Sequence, residues 1–178
     1  MGLSKITEPA SPVRSLSVKK TLVLIAAVAA VATPVLAQNA GQIASVRSGH
    51  DCRGCNLFQG DFSNFEKRGL NLTGSRLRQA DFSLAVMNRT RFANTDMRDV
   101  EAYGAVFSSS NFSGANLTNA SFVGAYLEGA SLAGATLTGA NFSGAQLNRA
   151  TGLTQRQLSQ ACGDEATVLP GGLHIPAC

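Results

Sequence analysis

The chain has 178 residues with a formal charge of +4, 44% hydrophobic and 15% charged residues, 18 Gly and no Trp. That is room for one domain with a substantial core, so wholesale disorder is excluded, and no apolar run reaches the roughly 18 residues of a membrane span. Lys5, Arg14, Lys19, Lys20 and Glu8 fall within positions 1–37; the remainder holds 11 basic and 10 acidic residues, too balanced to bind or to imitate nucleic acid through a global field.

Lys19-Lys20 precede an uncharged run from Thr21 to Thr33, followed by Pro34 and Val35-Leu36-Ala37. A basic region, an apolar region and small residues before Gln38 predict a secretory signal peptide over 1–37. The leader is long ahead of its apolar run and contains Pro9 and Pro12, which fits translation from Val13 or Val18. The expected destination is the periplasm or the extracellular space, with no stable membrane span after cleavage. Residues 38–51 read as a lead-in or cap.

From Leu57 to Leu147 the sequence repeats every five residues through 19 units. The centre of each unit, position i, is Leu eight times, Phe seven times and Met twice, with Lys67 and Ala102 the exceptions. Position i−2 is small in 17 units, and i+2 is Gly, Asn or Asp in 13. Neither a helix, at 3.6 residues per turn, nor an alternating strand has this period. Small-in, polar-out, large-in, then two outward residues describes a short extended stretch and a corner, which winds the chain into a solenoid.

Runs such as Ala115-Asn116-Leu117-Thr118 and Ala140-Asn141-Phe142-Ser143 resemble the pentapeptide-repeat proteins, over about residues 52–150. The resemblance implies an all-β fold, a right-handed quadrilateral β-helix with four repeats per coil, so that residues 20 apart stack on one face. At about 4.8 Å per coil, 19 units make a rod of about 23 Å. Phe62, Phe82, Phe122 and Phe142 then form an internal column broken by Ala102, where a neighbour or a backbone shift must fill the space. Around Lys67, with large Phe65 and Leu70 at small positions, the first coil is expected to bulge and the amine to reach solvent through the open end.

The domain reading is therefore 1–37 signal peptide, 38–51 lead-in, 52–151 β-helix and 152–178 C-terminal helix and tail. Thr154 and Gln157 form a capping box with Leu153 and Leu158 as hydrophobic staple, predicting a short helix from Gln155 to Ala161 that ends near Gly163. Cys52 and Cys55 open the rod while Cys162 and Cys178 flank its tail, so the expected structural disulfides are Cys52–Cys55 and Cys162–Cys178. An extended tail could also carry Cys178 across to the other end. A redox Cys-x-x-Cys lacks a thioredoxin-like βαβ unit around it, and zinc held by His50, Cys52, Cys55 and His174 suits an oxidising compartment poorly.

No catalytic residue, metal site or cofactor is expected. The glycosylation acceptors at Asn71, Asn88, Asn111, Asn116 and Asn141 are products of the repeat. Gly129-Ala130-Ser131-Leu132-Ala133 faintly resembles a nucleophile elbow, yet both histidines, His50 and His174, lie outside the coils. Asp61, Asp81 and Glu101 stack as a solvated acidic face. Among the outward positions, Leu84, Val86, Tyr103, Val106, Val123 and Tyr126 converge on one edge, a candidate protein-binding patch unless the chain's own termini cover it. The leading reading is a non-enzymatic exported structural or protein-interaction module, with an unknown protein partner or self-association and no nucleic acid. The resembling family also suggests DNA mimicry toward a topoisomerase, which the near-neutral charge and the export signal disfavour.

Overall fold

A computed structural model describes residues 38–178; the expected signal peptide and the question of its start lie outside the described residues. The first element is α1, Ala40–Arg47, which the sequence reading missed. Asn39 Oδ1 accepts the Gln42 N–H at 3.0 Å and so begins the helix, while Ile43 and Val46 bury the side that meets the coils. Gly49, at φ +84°, ends the turn beyond the Ser48 cap. An eight-residue helix with two bulky apolar residues is too short to show periodicity; Asn39, the Ile43–Val46 pair and Gly49 were its only signs.

Beyond Cys52 the chain climbs in coils of 20 residues, seen in parallel bridges such as Asn56↔Arg76, Arg76↔Asp96, Asp96↔Asn116 and Asn116↔Thr136. Most units bond to their neighbours in one way. Leu77 N–H donates to Asp96 O (2.7 Å) and Gln79 N–H to Arg98 O (2.9 Å), both toward the following coil. Arg76 N–H donates to Cys55 O of the preceding coil (2.8 Å), and Ala80 N–H closes the corner on Leu77 O (2.9 Å). A face thus bridges through one residue before the chain turns, so the described residues form isolated bridges and no run of strand. All 19 corner residues at i+2 have positive φ, nine of them Gly and ten not. This left-handed requirement explains the Gly, Asn and Asp enrichment at that position.

Every unit centre except Lys67 is buried. The rings of Phe62 and Phe82 stack at 5.2 Å, as do Phe122 and Phe142 at 5.4 Å. Between these pairs Phe107, from the adjacent column, lies edge-on to Phe82 at 5.9 Å and to Phe122 at 6.2 Å. Phe107 therefore bridges the interruption at Ala102. A sequence-based repair, Ala102→Phe, is expected to overpack and destabilise by about 1–3 kcal/mol. Urea unfolding tests this; a stabilised variant would show that the space is open.

Lys67 is exposed, with Nζ 3.1 Å from where a Cβ on Gly49 would sit, so the amine leaves along the end of α1. The irregularity is confined to the corner: Lys67 N–H still donates to Val86 O at 3.0 Å and Glu66↔Val86 is a regular bridge, but Arg68 and Gly69 form a bend where the other units have a turn. The aliphatic stem leaves at the end of the stack, so the backbone ladder need not open.

After Ala150 the chain forms α2, Gln155–Leu158. The capping box is present: Thr154 Oγ1 accepts from Gln157 N–H (3.3 Å) and Gln157 Oε1 from Thr154 N–H (2.9 Å). Leu158 is buried and Leu153 packs against the core. The helix stops at the Ser159 cap, short of Ala161, because the chain rejoins the coils: Gln160 O accepts from Gly139 N–H and Cys162 O from Phe142 N–H. The tail continues the stack through Asn141↔Cys162 and Gln146↔Val168, then folds back at Gly163↔Ala177. No helix among the described residues is long and apolar enough to cross a membrane.

Candidate functional site

Asp or Asn at position i−1 has a structural task. Asp61 Oδ1 accepts the Ser63 N–H at 2.9 Å, Asp81 that of Ser83 at 2.8 Å, and Asn111, Asn116 and Asn141 do the same for Ser113, Thr118 and Ser143. The side chain shapes the corner by bonding the backbone two residues on. Asp61, Asp81 and Glu101 do stack as consecutive bridges. The Ser63 hydroxyl and N–H, followed by the charge of Arg47, hold the Asp61 carboxyl below the ordinary value of 3.8. Asp96 is lowered chiefly by its bond from Arg98, and Asp164 chiefly by the Gly144 N–H. Acids depressed in this way stabilise the fold at neutral pH and lose that contribution as pH falls through their folded values.

The other chemical candidates are dispersed. Cys52–Cys55 and Cys162–Cys178 are disulfides with Cα atoms 5.6 and 4.8 Å apart, so Cys178 stays at its own end. His50 Nδ1 lies 3.3 Å from Ser45 O beside α1, whereas the His174 backbone bonds Gln155 beside α2, so the two histidines do not meet the Cys52–Cys55 pair in one site. Ser131 Oγ pairs with Ser113 Oγ of the preceding coil at 2.9 Å, within the ordinary stack. A hollow of about 450 Å³ at Ser108, Ser109, Glu128, Gly129 and Arg149 contains an Arg149–Glu128 ion pair at 3.4 Å and no histidine base.

The apolar edge is assembled as the stacking rule places it. Val86↔Val106↔Tyr126 are consecutive bridges on one face. Leu84 N–H donates to Tyr103 O (2.8 Å) and Gly104 N–H to Val123 O (2.9 Å), which sets Leu84, Tyr103 and Val123 on the adjoining corner. Leu84 is 53% exposed, Tyr103 58% and Tyr126 52%, with Val86, Val106 and Val123 half-buried beside them. The Leu84 side chain occupies room left by Gly104, where a Cβ would lie 3.0 Å from its Cδ2. Leu84 is also the only apolar non-Gly residue among the positive-φ corners, at φ 59°. A bulky side chain there is strained.

The structure adds Val168, 40% exposed, which continues the same line through Gln146↔Val168. Sequence reading had no means to find it. Val168 stands 22 residues after Gln146, because the passage through α2 adds one residue to the 20-residue register and the corner between Cys162 and Val168 adds a second. The described termini occupy the ends of the stack. Gln42 Oε1 of α1 accepts the Asn56 N–H, Arg47 Nη1 donates to Asp61 O, and the tail contributes Val168 to the edge.

The family profile described as Pentapeptide repeats matches residues 68–101, 88–122 and 115–151 in eight copies. A pentapeptide-repeat protein from the Arabidopsis thaliana thylakoid lumen is similar at 28% identity, covering 69% of this chain and 84% of its own, with a TM-score of 0.30. A pentapeptide-repeat protein from Nostoc Pcc 7120, alr5209, is similar at 23% identity, covering 77% and 88%, with a TM-score of 0.27. Full-length QnrB1, a plasmid-mediated fluoroquinolone resistance protein, is similar at 20% identity, covering 64% and 81%, with a TM-score of 0.30. No curated protein matches the chain.

Proposed function

The chain is a pentapeptide-repeat protein, of a family that folds as right-handed β-helices, and from that premise we propose that it is a non-enzymatic, exported protein-interaction module. Its rod is four-sided, with α2 closing the C-terminal end, and its working surface is the edge of Leu84, Val86, Tyr103, Val106, Val123 and Tyr126, prolonged by Val168. The observation that carries this reading is the exposure of Leu84, Tyr103, Tyr126 and Val168 along one edge of the rod. Apolar residues scattered over a surface mean little, whereas a continuous group marks a contact site. Tyrosine tolerates water when free and supplies apolar area when bound. Two disulfides and the leader over 1–37 support an oxidising destination, periplasmic or extracellular. DNA mimicry receives no comparable support: Lys67, Arg68, Arg76, Arg78, Arg89, Arg91 and Arg98 interrupt any run of negative charge, and Phe107 to Leu147 holds only Glu128.

The test is Val106→Asp combined with Tyr126→Ser. The variant is expected to fold normally and to lose self-association and co-purifying envelope proteins by at least about tenfold, as when a central apolar anchor is removed. If it folds and keeps every partner, the edge is not a binding site. If it melts well below wild type, the edge is an intramolecular seam.

A further inference from the structure

We propose that the edge, taken as the interaction surface, receives a second copy of this chain, with the two rods parallel and related by a two-fold axis running along them. The apolar strip lies between columns of opposite charge. Before it stands the acidic column Asp61↔Asp81↔Glu101. After it, at the next corner, stand Arg68 and Arg89, aligned by the bonds Gly69 N–H to Asn88 O and Arg89 N–H to Ser108 O. Within a single coil the outward order is therefore Asp81, Leu84, Val86, Arg89.

These charges form no ion pair among the described residues. The ion pairs among the described residues are Arg47–Asp61, Arg78–Asp99, Arg98–Asp96 and Arg149–Glu128. Asp81, Glu101, Arg68 and Arg89 belong to none of them. Symmetry then selects the arrangement. Two copies facing each other across an axis parallel to the rods exchange left for right at constant height, so the acidic side of each meets the arginine side of the other, with Asp81 opposite Arg89 in the same coil, Glu101 one coil above and Arg68 one coil below. An axis perpendicular to the rods would set acid on acid and arginine on arginine. The parallel arrangement also matches the coil spacing of about 4.8 Å on both surfaces and makes one self-complementary interface. Arg89 of the second copy would approach the corner that carries Tyr103, a cation suited to an aromatic face.

The experiment is sedimentation equilibrium of the purified, oxidised protein with two charge variants, Arg68→Glu/Arg89→Glu and Asp81→Arg/Glu101→Arg. Wild type is expected to dimerise, and more weakly in high salt. Each variant alone, carrying like charges on both sides of the strip, should dimerise at least about tenfold more weakly. Their equimolar mixture should recover a heterodimer, since the doubly acidic edge now complements the doubly basic one. Glu101→Arg alone, which removes no hydrogen bond of the corner, serves if the acidic-column variant folds poorly. A monomeric wild type, variants that dimerise as wild type does, or a mixture that fails to recover the dimer would each overturn the proposal. The edge itself is tested by a different variant. It stands if Val106→Asp/Tyr126→Ser abolishes partner binding or the dimer, and it falls if that variant folds and leaves both intact.

Discussion

Phe107→Ala is expected to destabilise the rod by about 3–5 kcal/mol, the upper range for a large-to-small change in a core. Phe107 meets four other rings: Phe82, Phe92, Phe112 and Phe122, at 5.9, 5.5, 5.5 and 6.2 Å. All four contacts are edge-on, the arrangement that aromatic quadrupoles favour. Removing this ring also uncovers the interruption at Ala102, so the cavity would join two columns and could not collapse easily. Phe62 in the first coil, which touches Phe65 and Phe82, should cost less when truncated. Urea unfolding followed by circular dichroism measures both. Equal losses at Phe62 and Phe107, or a loss below about 1 kcal/mol at Phe107, would contradict this packing.

Cys178→Ser is expected to release the tail while leaving the coils intact. The Cys162–Cys178 bridge closes a loop with a sequence separation of 16, for which the chain-entropy relation gives about 3 kcal/mol. The separation of three at Cys52–Cys55 constrains the unfolded chain far less. What the tail holds is specific: Leu147 N–H donates to Val168 O and Gly144 N–H to Asp164 Oδ1, each at 2.7 Å. In the variant the Gly144 and Leu147 amides should exchange with solvent much faster. The Leu117 amide, bonded to Thr136 O inside the stack, should remain protected. Unchanged exchange at Gly144 and Leu147 would show that the tail is held without its disulfide.

The repeat was legible because two chemical demands recur at fixed spacing: a buried centre, and a corner residue that accepts positive φ. That suffices to align Val86, Val106 and Tyr126, since alignment needs only the 20-residue coil. It does not say what fills a gap. The place of Ala102 is covered by Phe107, a residue of another column, and column arithmetic is blind to such diagonal contacts. Lys67 looked like a defect of the face, yet a side chain at the end of a stack can leave without opening the ladder, and only the corner at Arg68 and Gly69 departs from the common turn. The ends themselves were the least legible part. α1 rests on Asn39, two apolar residues and Gly49, and Val168 enters the edge only because α2 and the corner after Cys162 each add one residue to the register.

The bonding pattern within each unit gives the whole rod an electrical direction. Of the three backbone bonds that a unit donates across coils, two N–H groups point toward the C-terminal end and one points back, as Leu77, Gln79 and Arg76 show. The peptide dipoles therefore do not cancel along the axis, and the partial positive end is C-terminal, opposite to the polarity of an α-helix. One side chain at each end matches that sense. At the first coil a guanidinium, that of Arg47, donates to the Asp61 carbonyl; at the last, the Asp164 carboxylate accepts the Gly144 N–H. A cation thus sits at the negative pole and an anion at the positive one.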